Sequence, residues 1–198
     1  MQEKANVSLS AFEQQLVSDP AWILTKNRII EKVYLLFGHL SEQYKECAPE
    51  EVVTASVIAS GPKISKGENY EGLPYVMLDY PRCFGKEDVF AIRTFFWWGH
   101  FFSITLQLKG LYLQQHLPAL LKNEELLRAQ DVWMNVGNEE WQHHFRENNM
   151  LLLNKHIEKI QEKEVLKLAF TCSLNNWDKA ETILTEKFQL LLRVLQAH

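Results

Sequence analysis

Glycine and proline are scarce in this chain, eight and six of 198 residues. That is too few for a linker-rich or low-complexity protein, and a hydrophobic fraction of 46% is ordinary for a folded one. Long disorder is excluded on those grounds. Cysteine is scarcer still. Cys47, Cys83 and Cys172 are an odd number at wide spacings with no C-x-x-C pair, so no disulfide framework is encoded. They read as free thiols of a reducing compartment, and the expected location is cytoplasmic. Met1 to Asn6 has neither the apolar core of a secretory signal nor the Arg-rich, acid-poor character of a transit peptide, so export is not expected.

An excess of positive charge is also missing. Lys and Arg total 21 against 25 Asp and Glu, a formal net charge of −4, whereas surfaces that neutralise many phosphates are usually strongly basic. A nucleic-acid partner is not expected. The nucleotide and hydrolase signatures G-x-G-x-x-G, G-x-x-x-x-G-K-[ST] and G-x-S-x-G are absent, as is an EF-hand loop. Val89 to Leu108 is the one stretch that invites a membrane test, and it fails. Arg93 and His100 lie inside it, and an Arg at the centre of a spanning helix costs about 2.5–3.5 kcal/mol on insertion scales. No membrane partner is expected either.

What the chain does have is periodicity. Leu9, Phe12 and Leu16 predict a helix over 8–19, and Asp19-Pro20 supplies a cap and a first-turn proline for a second. Trp22, Ile29, Ile30, Val33, Leu36, Phe37 and Leu40 carry that second helix over about 20–45 at a 3.6-residue period. Val52 to Ser60 is β-branched and bounded by Gly61-Pro62, which predicts a strand; Leu73 to Tyr80 predicts its partner, closed by Pro81. The polar residues 63–70 between them read as a flared hairpin end or a loop.

Residues 89–109 are too long for one strand and should fold back near Gly99. A three-residue turn at Trp98-Gly99-His100 sorts the side chains best. It puts Phe90, Ile92, Thr94, Phe96, Phe102, Ile104, Leu106 and Leu108 on one face and Ala91, Arg93, Phe95, Trp97, Phe101, Ser103, Thr105 and Gln107 on the other. One clean apolar face buries the most area, at about 25 cal/mol per Å². Helices are expected over Leu111–Leu121 with Pro118 as a possible break, from Glu139 to Glu162 with an interruption at Asn148-Asn149, over Val165–Cys172, and over Asp178–Gln196. Asp131 to Asn138 reads as a short strand or a loop. The sum is a single α+β domain, residues 1–198. Its central antiparallel sheet has about four strands, two hairpins at roughly 52–80 and 89–109, flanked by N-terminal and C-terminal helices.

The constellation with most chemical content is the second face of the proposed hairpin. Arg93 sits there among Phe95, Trp97 and Phe101, and the neighbouring strand would add Tyr75, Met77 and Asp79. An Arg fork with aromatic walls suits a small anionic ligand. The competing reading is that helices cover this face and Arg93 pairs with Asp79 inside the fold. A second constellation, Glu140 and His143, would share a helix face at i, i+3 and could assist a metal-dependent reaction, although no second E-x-x-H accompanies it. His100 at the turn tip, the charged strand end Asp79-Tyr80-Pro81-Arg82, and Cys83 beside Arg82 carry weaker signals of the same kind. The function these patterns imply is a non-catalytic domain binding a small ligand or a partner on the aromatic and Arg face. The alternatives are a metal-assisted enzyme and a helix-mediated homo-oligomer, the latter through Asp178–Gln196. A monomer and a homodimer both remain open.

Overall fold

The computed structural model describes residues 7–48 and 55–196. Helix α1 (Ala11–Ser18) opens with a capping box: Ser10 Oγ accepts from the Glu13 N–H while the Glu13 carboxylate accepts from the Ser10 N–H. Asp19 then caps α2 (Pro20–Cys47), accepting from the Ala21 N–H at 2.9 Å. Val33, Phe37, Leu40 and Tyr44 of α2 are fully buried. Nothing from residue 7 to residue 29 is buried. The first helix and the start of the second therefore form an arm without a core of its own, on which Phe12, Val17, Trp22 and Leu24 are at least half exposed. Trp22 thus leaves the buried stripe in which its spacing placed it.

The sheet has seven strands, all antiparallel, in the order β1-β2-β3-β4-β7-β5-β6. They are β1 (Lys63–Tyr70), β2 (Leu73–Phe84), β3 (Val89–Trp97), β4 (Phe101–Lys109), β5 (Trp133–Asn135), β6 (Met150–Leu152) and β7 (Val165–Ser173). This corrects the expected sheet of about four strands built from hairpins at 52–80 and 89–109. The first hairpin is 63–84 instead. The polar run 63–70 is an edge strand, and polar, charged side chains are what an edge tolerates. Of the strand expected over 52–60, residues 55–58 are one helical turn, α3 (Ala55–Ile58), and 49–54 lie outside the described residues. Pro81 does not close β2. The strand continues to Phe84 across a register shift between Asp79 and Arg82, and the Tyr80–Pro81 peptide bond is cis.

Val165–Cys172 departs furthest from expectation: predicted helical, it is β7, an interior strand between β4 and β5. Both of its faces are buried, so apolar residues occur in runs and obscure the alternation of Leu166, Leu168, Phe170 and Cys172 with Lys167, Ala169 and Thr171. The helix expected over 139–162 is likewise replaced. Residues 136–149 are irregular, β6 follows, and two short 3-10 segments, Leu153–Lys155 and Ile157–Glu162, complete the stretch.

The hairpin 89–109 has the three-residue turn and register that the parity argument selects. Phe96 faces Phe102 and Trp97 faces Phe101, and Gly99 takes a φ of +74° that a side chain would oppose. Its inner face packs on helices. Phe37 of α2 meets Phe102, and Tyr44 donates or accepts a 3.0 Å hydrogen bond with Thr94. Phe188 of α6 (Ala180–Arg193) stacks on Tyr44 at 3.8 Å. Leu113 and Leu120 of α4 (Leu111–Lys122) and Leu127 of α5 (Glu124–Arg128) extend the same core, with Pro118 accommodated inside α4 and the break falling at Asn123. The apolar stripe of α6, through Leu184, Phe188 and Leu191, is buried inside the chain, which leaves the homo-oligomer reading no free apolar seam on this helix. Among the described residues no helix is long and apolar enough to cross a membrane.

Candidate functional site

The outer face of the sheet is set by register. Tyr75 lies opposite Trp97, Met77 opposite Phe95 and Asp79 opposite Arg93, so the side chains grouped from sequence do share one face. Arg93 is 8% exposed and Asp79 5%. They meet as a fork, Nε to Oδ1 at 2.7 Å and Nη2 to Oδ2 at 3.1 Å. The third corner of the guanidinium, Nη1, donates to Nε2 of His143 at 3.3 Å. The rings of Phe84 and Trp141 lie 5.5 and 5.8 Å from its central carbon, so Arg93 is engaged on all sides.

The cover over this face is the irregular segment 136–149, where helix was expected from Glu139 onward. Tyr70, the last residue of β1, anchors it. The Tyr70 hydroxyl accepts from the main-chain N–H groups of His143 (2.6 Å) and His144 (3.2 Å), which directs its own proton to Nδ1 of His144 at 2.9 Å. Tyr70 in turn packs edge-on against Trp97, Phe95 and Tyr75, and its carbonyl accepts from the Trp97 indole. Burial raises the Tyr70 phenol above its ordinary value. The next residue, Glu71, shares a two-residue turn with Gly72, both at positive φ (51° and 83°). A glutamate rarely adopts that conformation; here its carboxylate is held by both terminal nitrogens of Arg146 from the cover. Phe101 and Trp133 clasp Phe145 edge-on from β4 and β5. His100 stacks on Trp97 at the exposed hairpin tip, and Arg82 is turned away from Cys83 to the carbonyls of Ser60 and Gly61.

Glu140 and His143 do not cooperate. The segment is not helical, Glu140 accepts from Lys109 (2.9 Å) and Gln107 (3.0 Å), and His143 faces Arg93. Among the described residues there is no group of three or more His, Cys, Asp or Glu side chains placed to hold a metal ion. Burial, with the charge of Arg93 second, lowers His143 to about 2, which keeps its ring neutral. The consequence for stability has a definite sign. Below its ordinary value of 6.5 the unfolded chain takes up a proton at His143 that the folded chain refuses. Stability is therefore complete above pH 6.5 and falls below it, by at most about 1.4 kcal/mol per pH unit. Urea midpoints of wild type and His143→Gln between pH 7 and pH 5 test this: the variant should lose less, and parallel slopes would assign the acid sensitivity elsewhere.

Sequence reasoning missed the second cation of this face. Lys167 continues the row of Ala91 and Gln107 into β7, two residues along the strands from the Arg93 row, and it is 3% exposed. Its Nζ donates to the main-chain oxygen of Gln142 at 3.0 Å, and no carboxylate among the described residues pairs with it. Burial lowers it to about 8; Arg93 pushes in the same direction, and Glu140 and Glu139 oppose. Lys167 lines a cavity of about 100 Å³ together with Asn135, Glu139, Gln142, Asn148 and Asn149. The amides of Asn135 and Asn149 are spent on shaping it. Asn135 donates to Gly137 and Val165 and accepts from the Lys167 N–H, while Asn149 donates to His144 and accepts from Arg146. The signal was a lone lysine inside an apolar run, Val165-Leu166-Lys167-Leu168-Ala169-Phe170, which becomes informative once that run is a strand. The chain matches no known family, no curated protein and no solved structure.

Proposed function

We propose that this is a single-domain, cytoplasmic, non-catalytic binding protein for a small anionic ligand, taken up on the outer face of the sheet. In this reading Arg93, Asp79, Tyr75, Phe95, Trp97 and Phe101 do not line the cavity; they form the closed part of the same sheet face, where the Arg93 charge is already neutralised by Asp79. Lys167 is the ligand-contacting cation. One observation carries the reading: a buried ammonium with a single protein acceptor lies beside a polar cavity. Taking such a charge out of water is costly unless an opposite charge meets it. An anion in the cavity supplies that charge, whereas a leucine would serve a purely structural position better.

Thermal unfolding in the presence of formate, acetate and inorganic phosphate tests the proposal. A ligand at one hundred times its Kd stabilises by about 2.7 kcal/mol, and Lys167→Met should abolish that gain while unfolding no earlier than wild type without ligand. If none of these anions raises the transition, or if the variant responds equally, the reading fails.

A further inference from the structure

We propose that Lys167 captures small 2-oxo acids covalently, as an imine formed between its Nζ and the ligand's carbonyl carbon in the cavity bounded by Asn135, Gln142 and Asn148. This rests on the binding role just assigned to Lys167 and adds the ligand class. Three observations converge on it. The cavity, about 100 Å³, has room for a compound of two or three carbons, the equivalent of a few water molecules at roughly 30 Å³ each. The nitrogen is tethered by one main-chain oxygen and no carboxylate, so it has room to present a lone pair once a proton leaves. Glu139, on the rim of the same cavity, is an exposed carboxylate that can pass protons to and from solvent.

The chemistry balances without a further reactant. The neutral amine attacks the carbonyl carbon, a C–N bond forms, and the C=O π pair moves to oxygen as that oxygen is protonated. The carbinolamine then loses its hydroxyl group with a proton, and the two hydrogens of the amine leave with the carbonyl oxygen as one water. A site that disfavours a buried ammonium favours the reacting amine, and a proton taken up by the imine nitrogen restores the charge opposite the ligand's carboxylate. With Lys167 at about 8, about one molecule in five carries the neutral amine at pH 7.4, against about one in a thousand for an ordinary lysine near 10.5.

The test is reductive trapping. Wild-type protein is incubated with glyoxylate or pyruvate, treated with sodium borohydride, digested and mapped by mass spectrometry. The adduct should concentrate on the Lys167 peptide, on the order of 100-fold above a typical surface lysine at pH 7.4, and should increase with pH up to about 8. Acetate, which fills the site without a carbonyl able to condense, should protect Lys167. That competition needs no variant, so it stands even if Lys167→Arg fails to fold; a folded Lys167→Arg should show no such adduct. Labelling spread evenly over the lysines, or unaffected by acetate, overturns the proposal. Thermal stabilisation by anions without trapping leaves the binding role and removes the covalent one, and neither response removes both.

Discussion

Replacing Asp79 by alanine should cost about 3–5 kcal/mol, because it strands the Arg93 guanidinium in a buried position. The remaining partner of that cation, His143, offers one nitrogen and no charge to compensate. The cost belongs to the unpaired charge more than to the pair itself, so the Asp79→Leu, Arg93→Met double variant should recover a large part of it. Equilibrium urea denaturation of Asp79→Ala, of the singles Asp79→Leu and Arg93→Met, and of the double variant measures this. A loss below about 1 kcal/mol for Asp79→Ala would mean that water or another acid reaches Arg93, and the outer face would then be open where the structure has it closed.

The second large effect lies on the opposite side of the sheet. Phe188→Ala should destabilise by about 3–5 kcal/mol, because the ring is fully buried and lies parallel to Tyr44 at 3.8 Å with an interplanar angle of 2°. That stack joins α6 to α2, and Tyr44 continues the connection to β3 through Thr94. Phe188→Leu keeps most of the volume and should cost clearly less, about 1–2 kcal/mol. Chemical denaturation of both variants separates packing from simple burial. Equal losses would show that the aromatic stack, as distinct from filled space, dominates.

The parts of the fold legible in sequence were those whose two sides differ in polarity. In α2 the apolar period shows because polar residues fill the other sides, and in the hairpin 89–109 a single parity choice separates Phe90, Ile92 and Phe96 from Arg93 and Gln107. Where the second face also carries apolar residues, as Val165 and Ala169 do in β7, the contrast weakens and the run resembles a helix. Where burial is nearly absent, as in β1, a strand resembles a loop. The segment 136–149 is illegible for another reason: its conformation is imposed from outside by Tyr70, Lys109 and the Glu71–Arg146 pair, partners far away in sequence. The candidate site divides along the same line. Arg93, Asp79 and their aromatic neighbours could be grouped by strand parity, and the Arg93–Asp79 pairing named as the competing reading is the one present. Lys167 could not be grouped with them, since its place depends on β7 entering the sheet between β4 and β5.

The arm made by α1 and the start of α2 has a different standing from the rest of the chain. Its order depends on what it meets, because α1 has eight residues and none buried, and helices that short are marginal in water when nothing packs on them. For the sheet and its helices temperature is the controlling variable. The arm is not tied to that melting: α1 can fray well below it, so a probe in the arm and one in the sheet report different transitions.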